Sequence, residues 1–124
     1  MENGMEEFPE FMRNPANAVA GQEQSPGVQG YVYDGADGTQ MAFWTCLESG
    51  VSAEHTHPYD EYFVVLQGEY VLILGQGRER VTLRAGGEYH IPAGVPHGGE
   101  FQAGTRTIHA FGGFRAHRQT AGTA

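Results

Sequence analysis

From Val28 onward the chain is interrupted every few residues by glycine, and between the interruptions stand short runs rich in Val, Ile, Tyr, Phe and Thr. Runs of this length and composition, with turn residues between them, direct the chain into an antiparallel β-protein rather than helices. The expected strands are 28–33, 39–48, 51–57, 61–67, 70–74, 80–83, 88–91 and 105–111, about eight in number. Between them the segments 34–38, 67–69, 75–77 and 85–87 each supply glycine, which turns tightly because it tolerates positive φ. Many short strands at this spacing predict an all-β sandwich or closed barrel.

A chain of 124 residues supports one core of ordinary size, so one barrel is expected over residues 28–114. Residues 1–27 are acidic and carry Pro9, Pro15 and Pro26, and they read as an irregular arm with at most one short helical turn. Residues 115–124 read as a frayed tail. In the arm, Phe8, Phe11 and Met12 are apolar enough to dock, and a homodimer in which the arm crosses to a neighbour is the expected assembly.

Charge narrows the function classes. A net charge of -8 works against nonspecific attraction to nucleic acid, which needs clustered basic residues. All the basic residues are arginine, so Schiff-base and lysine general-base chemistry are excluded. No apolar run approaches a bilayer span, and the acidic start (Glu2, Glu6, Glu7, Glu10) is unlike a secretory signal, so a cytoplasmic protein is expected. The lone Cys46 lies in an apolar run and reads as a buried, inert thiol.

The chemistry concentrates in four residues. His55 and His57 are one residue apart, which on a strand puts both imidazoles on one face. Pro58 breaks regular pairing after them, and Glu61 opens the next strand, where a turn returns its carboxylate to that face. His97 follows Pro92-Ala93-Gly94-Val95-Pro96, a segment stiffened by two prolines. Three nitrogens and one oxygen suit a divalent transition ion (Mn, Fe, Co, Ni, Cu or Zn) and match Ca or Mg poorly. The competing reading is a polar barrel mouth whose side chains bond each other without metal.

These residues resemble the two motifs of the cupin superfamily. The first is similar to Gly50, four residues, His55-Thr56-His57, three residues, Glu61, six residues, Gly68; the second to Gly86, five residues, Pro92-Ala93-Gly94, two residues, His97. The departures are a spacing of four rather than five before His55, and Phe101 where asparagine often ends the second motif. The short span from Gly68 to Gly86 is similar to small single-domain bacterial cupins. The resemblance implies a double-stranded β-helix, the jelly roll of RmlC-like proteins, with one divalent transition metal on His55, His57, Glu61 and His97.

The function of such a site is open between two classes. The first is a metal-dependent enzyme, of dioxygenase, isomerase or decarboxylase type, acting on a small oxygen-bearing substrate. The second is a noncatalytic sensor or carrier of a sugar or metabolite with a structural metal. Candidate pocket residues are Phe63, which shares a face with Glu61; Tyr59, at the rim beside Asp60; and His109. On the last strand, Arg106, Ile108 and Ala110 share one face and Thr107, His109 and Phe111 the other. If the odd face is internal, His109 is placed to contact substrate or to serve as acid or base; the competing reading is a hydrogen-bonded structural or surface histidine. His90 is ambiguous in the same way, and His117 is expected in solvent. Arg78, Arg80 and Arg84 read as a solvated face pairing with Glu79 or Glu88, and Arg106 is the arginine available to an anionic substrate if it points inward.

Overall fold

The computed structural model describes residues 6–119. Nine strands succeed one another: β1 (Val28–Asp34), β2 (Gln40–Cys46), β3 (Gly50–His55), β4 (Glu61–Gln67), β5 (Glu69–Leu74), β6 (Glu79–Arg84), β7 (Glu88–Ile91), β8 (His97–Phe101) and β9 (Arg106–Phe111). They form a five-stranded sheet in the order β1-β2-β9-β4-β7 and a four-stranded sheet in the order β3-β8-β5-β6, with every pairing antiparallel. The strands cross repeatedly between the two sheets, which is the jelly-roll arrangement of a double-stranded β-helix.

Alternation explains which side chains turn inward. Along β4, Glu61, Phe63 and Val65 are buried while Tyr62 and Leu66 face solvent. Two apolar clusters result. One joins Val19, Val32, Ala42, Trp44, Phe111 and Ala116; the other joins Phe63, Val65, Leu72, Leu74, Leu83 and Ile91.

β8, which carries Gly98-Gly99, is absent from the sequence-based expectation. Both glycines are there for close approach. A Cβ on Gly98 would stand 2.8 Å from the Ser52 carbonyl oxygen, opposite the register shift of β3, and one on Gly99 would overlap the Tyr70 ring. The run expected over 51–57 ends as a strand at His55, so His57 sits just beyond it.

The described parts of both terminal segments are more ordered than their composition implies. The arm makes three short 3-10 turns (Glu10–Arg13, Pro15–Asn17 and Gly21–Glu23), where composition predicts at most one. Phe8 packs edge-on to Phe43 at 5.7 Å within its own chain, while Phe11 faces solvent. The segment expected to fray is docked as far as it is described: Ala116 is fully buried and Arg118 bridges to Val19 and pairs with Asp34 at 2.9 Å. Arm and tail are laced together by Ala20 N–H to the His117 carbonyl (2.9 Å) and Gln119 N–H to the Ala18 carbonyl (2.7 Å). Residues 1–5 and 120–124 lie outside the described region.

Candidate metal centre

The four predicted ligands come together at strand ends. His55 closes β3 and His97 opens β8, and the two face each other in register. Glu61 opens β4, and His57 stands in the turn between β3 and β4. The turn is clamped: the His57 carbonyl accepts from Gly94 N–H at 2.8 Å, and Asp60 accepts from Ala93 N–H at 2.9 Å while meeting His90 Nε2 at 2.7 Å. Rigid Pro92-Ala93-Gly94 thus holds His57 and Glu61 together. His90 is thereby a tether at the surface and does not enter the site.

One ligand atom from each of His55, His57, Glu61 and His97 lies within 4.8 Å of all the others. The side chains of His57, Glu61 and His97 are only 10%, 7% and 6% exposed. His57 Nε2 and His97 Nε2 stand 3.3 and 3.2 Å from Glu61 Oε1, yet none of the three atoms is aligned for a hydrogen bond, so all are buried without a partner. Such groups are costly to desolvate and are ordinarily paired. The imidazole tautomers agree with a ligand role. His55 Nδ1 and His97 Nδ1 meet the carbonyl oxygens of Ala53 (2.7 Å) and Val95 (2.9 Å), which accept and cannot donate. In the neutral ring each Nδ1 therefore carries the hydrogen and each Nε2 presents a lone pair to the cluster.

His109 lies on the internal face of β9 together with Thr107 and Phe111. Its Nδ1 donates to Glu61 Oε2 at 2.7 Å, and its Nε2 meets Thr107 Oγ1 at 3.0 Å. His109 therefore holds the second carboxylate oxygen and leaves Oε1 to the cluster. Phe63 stacks on the His109 ring at 4.8 Å, and Tyr59 stacks on the His57 ring at the same separation.

The electrostatics favour a cation. Burial opposes the charged Glu61 carboxylate, but hydrogen bonding by His109 and the nearness of His57 and His97 outweigh it and hold the group far below the ordinary carboxylate range. Burial, aided by the neighbouring imidazoles, pushes His55 down, so it is a neutral donor at physiological pH. At His97 burial acts in the same sense, but Glu61 and the Val95 carbonyl overcome it and raise the value. The point beside Glu61 Oε1 is one where positive charge is stabilised. The residues fit a transition ion by donor type, by orphaned buried atoms and by charge, and the cluster is able to hold one.

Around the cluster lies a chamber of about 50 Å3 walled by Phe63, Leu72, Ile91 and Phe111. The arginine expected to serve an anion does not reach it. Arg106 is buried on the opposite face of β9, 4.9 Å from the Phe8 ring centroid and 3.1 Å from Gln67 Oε1. Arg115, which the sequence places in a loose tail, lines the chamber instead. The partners of the surface arginines also differ from expectation: Arg78 pairs with Glu54, Arg80 with Glu100 and Arg84 with Glu69, because β6 is the edge strand beside β5 and its arginines reach Glu69 on β5 and, across β5, Glu100 on β8. His117 is solvent-exposed and pairs with Glu23 at 2.9 Å.

A two-sheet barrel with three histidines and a glutamate at converging strand ends defines a metal-ready jelly roll. The family profile for the cupin domain matches residues 42–109, more than half the chain, and the chain belongs to that family. No curated protein matches it by sequence. Among solved structures, an RmlC-like cupin from Shewanella frigidimarina superposes with a TM-score of 0.67 at 17% identity, covering 86% of this chain and 93% of that one. KdgF from Halomonas sp. gives 0.62 at 19%, covering 82% and 94%. The polyketide cyclase RemF from Streptomyces resistomycificus gives 0.66 at 21%, covering 85% and 78%. At these identities the likeness is one of fold. No described helix is long and apolar enough to cross a membrane.

Proposed function

We propose that this chain is a metal-dependent enzyme acting on a small oxygen-bearing substrate, with one divalent transition metal on His55, His57, Glu61 and His97. The observation that carries the reading is the convergence of His57 Nε2, Glu61 Oε1 and His97 Nε2, all buried and all without a hydrogen-bond partner. When bound, such an ion supplies Lewis-acid polarisation of a substrate oxygen, or redox chemistry with dioxygen. The protein's own part is geometric. His109 keeps the Glu61 carboxylate in one orientation, the Asp60 clamp fixes the turn bearing His57, and Phe63, Leu72, Ile91 and Phe111 give the chamber an apolar wall. RemF is named a polyketide cyclase, which supports catalytic use of this fold in that protein. Dioxygenation, isomerisation and decarboxylation are the reaction types such a site serves, in a cytoplasmic homodimer.

The test is metal analysis of protein purified without chelator, then oxygen-uptake and product assays over keto acids, phenols and sugars with metals exchanged. About one equivalent of transition metal per chain, lost in His57→Ala, is expected for a single four-ligand site. Wild-type protein that stays metal-free in metal-replete medium refutes the reading. Full metal loading with saturable ligand protection but no product makes the protein a sensor.

A further inference from the structure

A second cavity adjoins the chamber beside the ligand cluster. About 70 Å3 in volume, it is lined by Gln24, Val28, Trp44, Phe101, Thr107 and Arg115, among others. Ser52, Tyr70, His109 and Arg115 line both spaces, so the two adjoin. Ser52 and Arg115 also line the open groove outside. Each inner space takes on the order of four or five water-sized groups, given about 10–15 Å3 per water by this kind of measure.

Two features of this double chamber suit a ligand. The first is Arg115. Arg13, Arg78, Arg80, Arg84 and Arg118 each pair with a carboxylate, and Arg106 is held by Gln67 and the Phe8 ring. Among the described residues no carboxylate pairs with Arg115, whose guanidinium makes one long contact of 3.4 Å with the Glu23 carbonyl and stands 5.8 Å from the Phe111 ring centroid. Its backbone is nevertheless anchored, since Gln40 Oε1 accepts from Arg115 N–H at 2.6 Å and from Ala116 N–H at 3.0 Å. A half-buried cation on a fixed root is preorganised for an anion. The second feature is Gln24 Oε1, a buried acceptor with no partner, on the wall of the inner cavity.

We propose that the double chamber binds a short hydroxycarboxylate, with its carboxylate on the Arg115 guanidinium and its hydroxyl donating to Gln24 Oε1. The proposal deepens the metal-enzyme reading and rests on it for the role of the ion beside the ligand. It takes the acceptor from the arm and the cation from the tail. The lined volume limits the ligand to a few carbons, and Trp44, Val28 and Phe101 accommodate its apolar part.

The test uses full-length, metal-loaded protein and the fluorescence of its single tryptophan, Trp44, which lines the inner cavity. The probes are 3-hydroxybutyrate, its neutral amide, and butyrate. Loss of a charge-assisted bond predicts that the acid binds about tenfold or more tighter than the amide, and that Arg115→Gln removes this difference while Arg115→Lys restores part of it. Gln24→Leu should abolish the preference for 3-hydroxybutyrate over butyrate and leave the acid-over-amide preference in place. Circular dichroism and metal content check that each variant is folded. Equal binding of acid and amide, or Arg115→Gln binding like wild type, overturns the proposal. Repeating the titration after chelation separates the two readings: Arg115-dependent binding in a protein that takes up no metal sinks the metal-enzyme reading alone, whereas stoichiometric metal with no response to any probe sinks this one alone.

Discussion

Replacing His109 by phenylalanine tests how the centre is held together. The ring volume and the stack on Phe63 are roughly kept, but Glu61 Oε2 loses the 2.7 Å hydrogen bond that orients it. Removing a partner that orients a ligand ordinarily costs about 10–100-fold in metal affinity, or roughly 1.4–2.7 kcal/mol. The change is readable in thermal melts. A metal present at about 100 times its dissociation constant stabilises the folded chain by roughly 2.7 kcal/mol. With an unfolding entropy of about 2.1 cal/mol/K per residue over 124 residues, that raises Tm by about 10 °C. At the same metal concentration a tenfold weaker site gives about 5 °C and a hundredfold weaker one about 1–2 °C. His109→Asn, whose amide nitrogen lies where Nδ1 does, should recover much of the wild-type rise. Competition with a chromophoric chelator supplies the affinities independently. A metal-induced rise in His109→Phe equal to that of wild type would refute the argument that His109 orients Glu61.

Three further outcomes are expected. Cys46 is buried and its thiol is pushed up to about 12 by desolvation, so thiol reagents should leave native protein unlabelled at pH 8 and react once denaturant is added; stoichiometric labelling of the native state contradicts this. Gly68→Ala places a Cβ 2.7 Å from Thr105 Cα at a φ of +85°, so the urea midpoint should fall by the equivalent of about 1–3 kcal/mol or more, and an unchanged midpoint disproves the close contact. Burial works against the Glu23 carboxylate, but bonds from the His117 backbone and imidazole outweigh it and hold the group below its ordinary 4.5. Because the folded value is the lower one, Glu23 stabilises the arm above pH 4.5 and ceases to do so as pH falls through the folded value. Amide protection factors across residues 18–24, taken relative to the intrinsic exchange rate at each pH, should therefore fall on acidification below about 4.5 in wild type and vary less in Glu23→Gln; identical profiles would remove Glu23 from arm docking.

The ligand quartet is legible in the sequence because it depends on short-range rules. Side-chain alternation puts two imidazoles one residue apart on a common face, Pro58 restricts the backbone at His57, and Pro92 and Pro96 stiffen the segment that leads into His97. The same local rules mislead where the contact is distant. Gly98-Gly99 resembles a break because its reason for lacking a side chain is the Ser52 carbonyl and the Tyr70 ring on neighbouring strands. Arg106 and Arg115 exchange roles for a similar reason. Alternation sorts the two faces of β9 correctly, but Phe8 covering the Arg106 face and Gln40 anchoring residue 115 are long-range events without a periodic signal.

The split between legible and illegible residues matches the division of tasks in the molecule. His55, His57, Glu61, His97 and His109 all lie within residues 42–109, the span that matches the cupin profile, and strand pairing or the Asp60 clamp fixes their positions. Gln24, Arg115 and Phe114, whose carbonyl accepts from Tyr59 Oη at 3.3 Å, all lie outside it. The arm and tail are bound to each other by main-chain hydrogen bonds and to the barrel through Gln40, so they can present side chains to the chamber with little freedom of their own. A barrel whose strand ends can hold an ion and termini that line the space beside it can be altered separately, because substitutions at Gln24 or Arg115 leave every proposed metal ligand and its hydrogen-bond partners in place. The matched span therefore carries the candidate centre, and on the reading proposed above the choice of ligand falls to Gln24 and Arg115, which lie outside it.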